Sequence, residues 1–406
     1  MPSRTMRTGR LLRLAAATGL VAGSLAVGVP PVGAAAAPPP LTIVADQPAA
    51  VPAGHLWGFN DFFPRSLTVH KGQTIQVLIE GFHTATFLPR GTSAAADMRT
   101  NGIAAADADD TAPNPGGQTH SEIRVPAILP TSMTCGTAKA PCSFTGASVV
   151  SSGAPAGTGP AAPFVVTINA PVGVYTLLCR IHPGMTATLR VAPASAPVTN
   201  ARALAANVKR QVAADVTEAM LAEKQGSRVT TSTLPDGHTL WIVNAGASDP
   251  ARHVAILEFL PGTLSVKPGD LVTWISPGEN EPHTVTFPGD LHTDQVALCE
   301  DATTGTDSPA TPLHTPPQGP TDFACGTAPA GEIEFAPGNG VRTLADPTTV
   351  SDSGLLASDA ERASLGLPAS AAFTSWTIGV SATAPAGTYT FVCQVHDGMK
   401  GTLVVH

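Results

Sequence analysis

One pattern occurs twice in this 406-residue chain: a cysteine, a histidine three positions later, and a methionine three positions after that. The two copies read Cys179-Arg-Ile-His182-Pro-Gly-Met185 and Cys393-Gln-Val-His396-Asp-Gly-Met399. The only two tyrosines of the chain, Tyr175 and Tyr389, each lie four positions before one of these cysteines. A repeat of this kind indicates two copies of one structural unit, so the fold must accommodate two similar halves.

Each copy also includes a histidine far upstream of its cysteine, in the phrases His83-Thr-Ala-Thr-Phe87 and His283-Thr-Val-Thr-Phe287. Alternating apolar residues precede both phrases, with Gly72 or Gly269 at a turn, and this alternation predicts half-buried strands. A matching hairpin closes each copy, with strands predicted at 164–168, 173–179 and 186–191 and at 376–380, 387–393 and 401–405. The sequence therefore predicts an all-β fold with the same strand order in both halves.

The segment between the two copies has a different pattern. Apolar residues recur every four positions with charged residues between them: Leu204, Val208, Val212, Val216 and Met220. This spacing predicts an amphipathic helix that begins near Asn200 and ends at Gly226. Because its apolar stripe would otherwise face water, we expect the helix to pack against one or both β domains.

Long insertions, at residues 88–163 and 288–372, separate the first histidine of each copy from its cysteine. They are rich in small and polar residues, and each contains a cysteine pair: Cys135 with Cys142, and Cys299 with Cys325. We predict a disulfide within each pair, which would limit the entropy of these loops, and free thiolates at the two repeated cysteines. The alternative is three structural bridges, one of which joins the two repeated cysteines.

The first 37 residues have the features of a secretory signal peptide. Four arginines precede an apolar stretch at 14–29, and small residues follow at 34–37. No later segment approaches the roughly 20 unbroken apolar residues that span a bilayer, so we expect a secreted protein without a membrane span. Removing the signal takes four of the 22 basic residues and none of the 30 acidic ones, so the net charge falls from −8 to −12. At that charge, nucleic acid is not expected as a partner.

The repeated residues supply two sets of one thiolate, two imidazoles and one thioether. The first set is His83, Cys179, His182 and Met185, and the second set is His283, Cys393, His396 and Met399. Taken singly, these residues would be buried thiols, loop histidines and core methionines, but their repetition at fixed offsets favours metal ligation. Soft sulfur favours cuprous copper and nitrogen favours cupric copper, so a fixed mixed set is typical of a type 1 (blue) copper site. The sequence predicts two such sites and no catalytic residue.

The phrases Tyr389-Thr-Phe-Val-Cys393-Gln-Val-His396-Asp-Gly-Met399-Lys-Gly401 and Pro282-His283-Thr-Val-Thr-Phe287 resemble the two copper motifs of the cupredoxins, the plastocyanin and amicyanin family. The resemblance covers residues 60–87, 163–192, 256–287 and 374–406. It implies two Greek-key β-sandwiches, each with type 1 copper at one end. The predicted layout is a first domain at 41–194, a linker helix at 199–226 and a second domain at 229–406.

Two features depart from the family pattern. Thr84 and Thr284 follow the first histidines, where the small copper proteins often have Asn, so one hydrogen bond near the thiolate is expected to differ. The first copy has Ala187 where the second has Gly401.

Three functions use such ligands: one-electron carriage, copper storage or delivery outside the cell, and copper-dependent catalysis. Laccase-like enzymes need paired His-x-His segments and a His beside the copper cysteine, and this chain has neither. The residues beside the cysteines are Leu178 and Arg180, and Val392 and Gln394. We therefore expect an electron carrier that is not an enzyme, with a redox partner protein. The sequence leaves the partner's identity and the oligomeric state open, and it leaves storage or delivery as the alternative.

Overall fold

Strands make up most of the regular structure in the computed structural model of this chain. It describes residues 40–103, 121–155, 162–277, 281–290, 340–365 and 374–406, with short strand segments at 298–301, 307–309, 311–312, 323–324 and 330–335. The predicted signal peptide at 1–37 lies outside the described residues. The predicted bridge between Cys299 and Cys325 does so too, because only the backbone of Cys299 is described and Cys325 is not.

The strands of the first half are β1 (Leu41–Ala45), β2 (Trp57–Phe59), β3 (Phe62–Phe63), β4 (Ser66–His70), β5 (Thr74–Ile79), β6 (Thr86–Phe87), β7 (Ser121–Arg124), β8 (Cys142–Phe144), β9 (Val150–Ser151), β10 (Phe164–Ile168), β11 (Gly173–Leu178) and β12 (Thr186–Ala192). Those of the second half are β13 (Thr230–Thr233), β14 (Thr239–Ser248), β15 (Val254–Leu260), β16 (Thr263–Val266), β17 (Leu271–Ile275), β18 (Thr286–Phe287), β19 (Leu298–Asp301), β20 (Asp307–Pro309), β21 (Thr311–Pro312), β22 (Phe323–Ala324), β23 (Ala330–Phe335), β24 (Thr343–Leu344), β25 (Ser351–Asp352), β26 (Ser375–Val380), β27 (Gly387–Val392) and β28 (Lys400–Val405). The helices are α1 (Ala94–Asn101), α2 (Val125–Ile128), α3 (Ala201–Gly226) and α4 (Asp359–Leu365), with a 3-10 turn at Pro48–Ala50.

Two five-stranded sheets form the first half, in the orders β3-β1-β5-β10-β8 and β4-β12-β11-β6-β9. Alternate residues of β5 are buried, because Ile75, Val77 and Ile79 point to the same face and into the core. Side chains from both sheets share this core, and the rings of Phe144 and Tyr175 lie 5.4 Å apart within it. The prediction of a β-sandwich is confirmed for this half.

The second half repeats the same arrangement. Its sheets run β2-β15-β14-β17-β26-β24, with β13 beside β14, and β16-β28-β27-β18-β25. The latter matches the second sheet of the first half strand for strand. In both, the last strand pairs in parallel with an early one, Leu189 with Leu67 and Leu403 with Leu264. The predicted closing hairpins are present in both halves as β10–β12 and β26–β28.

Two strands from the first half of the chain pair with strands from the second half. Strand β2 belongs to the first half by sequence but pairs with β15 at the edge of the second half's sheet, with Trp57 opposite Ile256. Strand β7 of the first insertion pairs with β23 of the second insertion. Residues 40–406 belong to one compact unit. The domain boundaries at 41–194 and 229–406 stay a prediction.

Helix α3 is present where the sequence predicts it, and Asn200 caps its first turn by accepting a hydrogen bond from the Ala203 N–H at 2.9 Å. Val208, Val212 and Val216 pack against an apolar cluster from β2, β3, β14 and β15. The helix therefore packs against strands of both halves, as expected from its apolar stripe.

The prediction that Met220 belongs to this stripe is wrong, since Met220 is 56% exposed. A helix turns about 100° per residue, so positions four apart drift by about 40° at each step. Four such steps carry Met220 away from the face that Leu204 begins. Ala219 and Ala222 occupy the buried face at this end of the helix.

The insertions contain more regular structure than their composition predicts. In the first, Ser93 caps α1 and Cys135 is joined to Cys142 by a disulfide. Cys179 and Cys393 are free thiols, so the alternative in which they bridge each other is excluded. None of the helices in the described part of the chain has the length and apolar character of a transmembrane helix.

Candidate metal centres

Three of the four predicted ligands of the first set converge where strand β11 ends. The ligand atoms of His83, Cys179 and His182 all lie within 4.8 Å of one another. The Sγ atom of Cys179 is 3.9 Å from Nδ1 of His83 and 3.7 Å from Nδ1 of His182, and the two Nδ1 atoms are 2.8 Å apart. All three side chains are buried. One thiol and two ring nitrogens therefore face a common point shielded from water.

The second set forms the same arrangement in the second half. The Sγ atom of Cys393 is 3.9 Å from Nδ1 of His283 and 3.7 Å from Nδ1 of His396. The two Nδ1 atoms are 3.1 Å apart. The Sγ–Nδ1 distances match those of the first set, because the predicted ligands lie at equivalent positions next to equivalent strands.

The local backbone explains why the cysteine and the histidine lie close together, with the methionine on the same loop. Strand β11 ends just before Cys179, and the chain turns back to begin β12 after Met185. The Cys179 N–H donates to the Met185 carbonyl at 3.0 Å, and the Met185 N–H donates to the His182 carbonyl at 3.2 Å. The second loop has the same two bonds, at 2.9 and 3.2 Å. Both methionines, Met185 and Met399, are buried.

The upstream histidines lie just before the strand that neighbours the cysteine's strand. His83 and His283 precede β6 and β18, which pair with β11 and β27 respectively. This pairing is long-range in sequence, and it explains how a ligand so far upstream reaches the cysteine.

Two backbone N–H groups point at each sulfur. Thr84 and Ile181 donate to Cys179 Sγ at 3.4 Å, and Thr284 and Val395 donate to Cys393 Sγ at the same distance. Hydrogen bonds to the charged form of a group stabilise that form, so both sites favour a thiolate.

The threonines that depart from the family pattern fix the ligand loops. The Thr84 hydroxyl accepts a hydrogen bond from the Arg180 N–H at 2.8 Å, and the Thr284 hydroxyl accepts one from the Gln394 N–H at 2.8 Å. Each threonine, which directly follows the first histidine, is therefore linked to the residue that directly follows the cysteine.

The electrostatics of both sites favour a metal-binding thiolate. Burial by itself raises the pKa of Cys179, but hydrogen bonds and charge from His182 and His83 outweigh it and hold that pKa well below its usual value. The pKa of Cys393 is lowered in the same way by His283 and His396. A thiolate is the form of cysteine that binds metals.

These donors fit copper. Two imidazoles and a thiolate at mutual distances of 2.8 to 3.9 Å surround a point that one ion can occupy, with a buried methionine on the same loop. A His₂Cys set with a weak methionine ligand is typical of type 1 copper. Backbone N–H groups that donate to each sulfur, and the backbone bonds within each loop, hold this arrangement in place.

The outer nitrogens of two predicted ligand histidines contact one carboxylate, which the sequence reasoning missed. Nε2 of His182 lies 2.8 Å from Oε1 of Glu281, and Nε2 of His396 lies 3.5 Å from Oε2 of the same side chain. Asn60 donates from Nδ2 to Oε1 at 3.1 Å. Burial by itself raises the pKa of Glu281, but His182 and His396 hold that pKa well below its usual range.

A signal for Glu281 does exist in the sequence. It lies two positions before His283, whereas Gly81 holds the equivalent position before His83. A charged residue in one copy and glycine in the other marks a feature that the two copies do not share. Asp46 is the corresponding acidic neighbour of the first site, with Oδ2 3.9 Å from Nε2 of His83.

Two other groups in the described residues bring metal-binding side chains together. One consists of His55, Glu223 and Glu258, and the other of Asp61, Asp215 and His253. In the first, Nδ1 of His55 is 2.8 Å from Glu223, whose carboxylate also accepts a hydrogen bond from the Trp57 indole. In the second, the Arg65 guanidinium contacts both aspartates and supplies the positive charge.

No protein family model matches the chain, and no curated protein matches it significantly. Solved structures that match parts of it include a Cu(I) form of an amicyanin mutant, at 15% identity over 44% of this chain and 97% of that one, with a TM-score of 0.18. Another is dithionite-reduced auracyanin from the photosynthetic bacterium Roseiflexus castenholzii, at 20% identity over 38% of this chain and 96% of that one, with a TM-score of 0.20. Both matches cover less than half of this chain.

Proposed function

We propose that this chain is a secreted copper protein of the cupredoxin type that carries single electrons on two type 1 centres. His83, Cys179, His182 and Met185 hold the first ion, and His283, Cys393, His396 and Met399 hold the second. The observation that carries this proposal is the convergence, in both halves, of one thiol and two ring nitrogens within 4.8 Å.

The residues of the site have distinct parts in this function. Copper, when bound, supplies a one-electron couple between its cuprous and cupric forms. The thiolates and imidazoles bind it, and the N–H groups of Thr84 and Thr284 stabilise the sulfur charge. The backbone bonds within each ligand loop keep the donors in place, which favours rapid electron exchange because little has to move.

Copper storage or delivery outside the cell is the competing function. A storage site needs affinity alone, whereas the fixed mixed donor set of both centres suits redox cycling. The proposal also includes cleavage of a signal peptide after residue 37, secretion, and electron exchange with a redox partner protein. Export is tested by N-terminal sequencing of the protein recovered outside the cells, which should start just after that residue.

The deciding experiment is copper titration of the purified mature chain, followed by visible absorption and electron paramagnetic resonance. We expect a blue colour that saturates at two equivalents, narrow copper hyperfine splitting, and reversible bleaching by a one-electron reductant. Cys179→Ser and Cys393→Ser should each lose one blue equivalent and keep the other. A colourless complex with wide hyperfine splitting would favour storage, and steady turnover of nitrite or phenols would favour an enzyme.

A further inference from the structure

One carboxylate connects the two candidate centres. Glu281 places Oε1 2.8 Å from Nε2 of His182 and Oε2 3.5 Å from Nε2 of His396. Both histidines turn their Nδ1 atoms toward the sulfurs of their own sites. The His182 ring, the Glu281 carboxylate and the His396 ring therefore form a continuous path from the first site to the second. Each carboxylate oxygen makes one of the two polar contacts.

The bridge is shielded and fixed in position. The side chains of His182 and Glu281 are only 6% and 12% exposed, so solvent does not displace their contact. Asn60 provides a third contact to Glu281. Asn60 follows β2, the first-half strand that pairs with the second half, so the two halves hold the bridge together.

The Glu281 bridge is also present on one side only, so it is not a consequence of the sequence repeat. Glu281 occurs in the second copy only, and Gly81 takes its place in the first copy. A Cβ added to Gly81 would lie 3.0 Å from Oδ2 of Asp46, so that position has little room for a side chain. One acid therefore serves two histidines that belong to different sites.

We infer that Glu281 couples the two centres, so that the oxidation state of one ion changes the reduction potential of the other. This inference rests on the proposed function. When the first centre is oxidised, its extra positive charge strengthens the hold of His182 on the shared carboxylate. Less of the negative charge then remains to stabilise an oxidised second centre, and the second centre becomes easier to reduce.

Copper bound at both centres would supply a one-electron couple at each, and the side chains of His182, Glu281 and His396 would form the polar contact between them. Glu281 acts through the two histidine ligands, and it is a positioning residue because it contacts neither sulfur.

The test is a redox titration of the copper-loaded protein that resolves both centres, with Cys179→Ser and Cys393→Ser used to assign them. In Glu281→Gln, both centres should shift to more positive potentials, because each oxidised form loses a nearby negative charge. The matched control is Asp46→Asn, which removes a carboxylate beside His83 and should shift the first centre alone. Asn suits this position, since Asp46 has a positive φ of 66°.

A double-mutant cycle then measures the coupling itself. Emptying the second centre with Cys393→Ser should move the potential of the first centre, and the shift should be smaller when Glu281 is already Gln. Equal shifts in both backgrounds would overturn the inference. Glu281→Asp, which keeps the charge but shortens the reach, should also reduce the shift and serves if Glu281→Gln does not fold.

The outcomes separate this inference from the proposed function. If the unaltered protein shows no type 1 signals, the proposed function fails and the bridge fails with it. If it shows two type 1 signals and Glu281→Gln shifts neither potential, or only one, the bridge alone is wrong.

Discussion

Phe391 lies directly opposite Gly401 in the antiparallel pair of β27 and β28, and a Cβ on Gly401 would meet the Phe391 ring at 2.4 Å. At the equivalent place in the first half, Leu177 lies opposite Ala187. In the second half the large Phe391 side chain faces a glycine, which has no side chain. In the first half the smaller Leu177 faces the methyl group of an alanine. The difference between Ala187 and Gly401 is explained by cross-strand packing beside the ligand strand.

Gly401→Ala should therefore destabilise the protein by about 1–3 kcal/mol, because the added methyl group overpacks a rigid site. The Phe391 ring has no room to move away from the added methyl group, because its centroid is 4.7 Å from that of Phe259 and 4.9 Å from that of Phe287. The free energy of unfolding in urea measures the loss.

The control for this prediction recreates the pair found in the first half. Combining Gly401→Ala with Phe391→Leu should recover part of the stability, because the smaller side chain makes room for the methyl group. A Gly401→Ala variant as stable as the unaltered protein would contradict the packing explanation.

Thr284→Val should perturb the second centre and leave the first unchanged. Valine fills the same volume but removes the hydroxyl that accepts the Gln394 N–H, and both residues are buried. Losing one such hydrogen bond costs about 1 kcal/mol, and the loop that carries Cys393 loses one contact with the segment before β18. The visible and paramagnetic resonance spectra of the two centres should report a change at the second only.

Two variants control for this effect. Thr284→Ser keeps the hydroxyl and should preserve the spectrum, whereas Thr84→Val should produce the matching change at the first centre. Identical spectra for Thr284→Val and the unaltered protein would show that the hydroxyl does not position the ligand loop.

The tyrosines before the ligand cysteines support the fold through their hydroxyl groups. Tyr175 donates to the Pro171 carbonyl at 2.8 Å, and Tyr389 donates to the Pro385 carbonyl at 2.9 Å. Tyr389→Phe should lower the free energy of unfolding by about 1 kcal/mol, the usual value of one such bond, with the same result for Tyr175→Phe. Thermal and urea unfolding measure this loss. A changed reduction potential in either variant would instead show that the hydroxyl also affects the nearby centre.

The sequence was most informative where geometry is local or repeated. Ligands three positions apart on one turn between paired strands have little freedom, so the Cys-x-x-His-x-x-Met spacing was enough to bring Cys179 close to His182. His83 required a long-range pairing, and its position was predictable because His283 occurs in the same phrase in the other copy. The closing hairpins followed from alternation in the same way.

Contacts between the halves were not predictable by these means. The edge position of β2 and the bridge made by Glu281 each occur once, so no repetition marks them. They depend on how two sandwiches and α3 pack, which the apolar pattern of each element does not specify. The exposed Met220 shows the same limit at smaller scale, because a four-residue spacing only approximates the helical period.

The cluster formed by Asp61, Arg65 and Asp215 of α3 should make the free energy of unfolding depend on pH. Burial raises the pKa of Asp61 to about 7, with Arg65 opposing this shift and Asp215 adding to it. The folded state then keeps a proton that the unfolded chain releases at its ordinary pKa of 3.8. The stabilisation from Asp61 is therefore complete below that value and is lost as the pH rises toward 7, by at most about 4 kcal/mol.

Urea unfolding of the copper-free protein and of Asp61→Asn, from pH 4 to 8, tests this dependence. Asparagine does not titrate, so the variant should gain stability relative to the unaltered protein as the pH rises, and most of the gain should come between pH 4 and 7. Asp215→Asn should reduce the gain, because it removes the second carboxylate that raises the pKa of Asp61. Parallel stability curves for Asp61→Asn and the unaltered protein would mean that Asp61 is already ionised in the folded state, held by the Arg65 guanidinium.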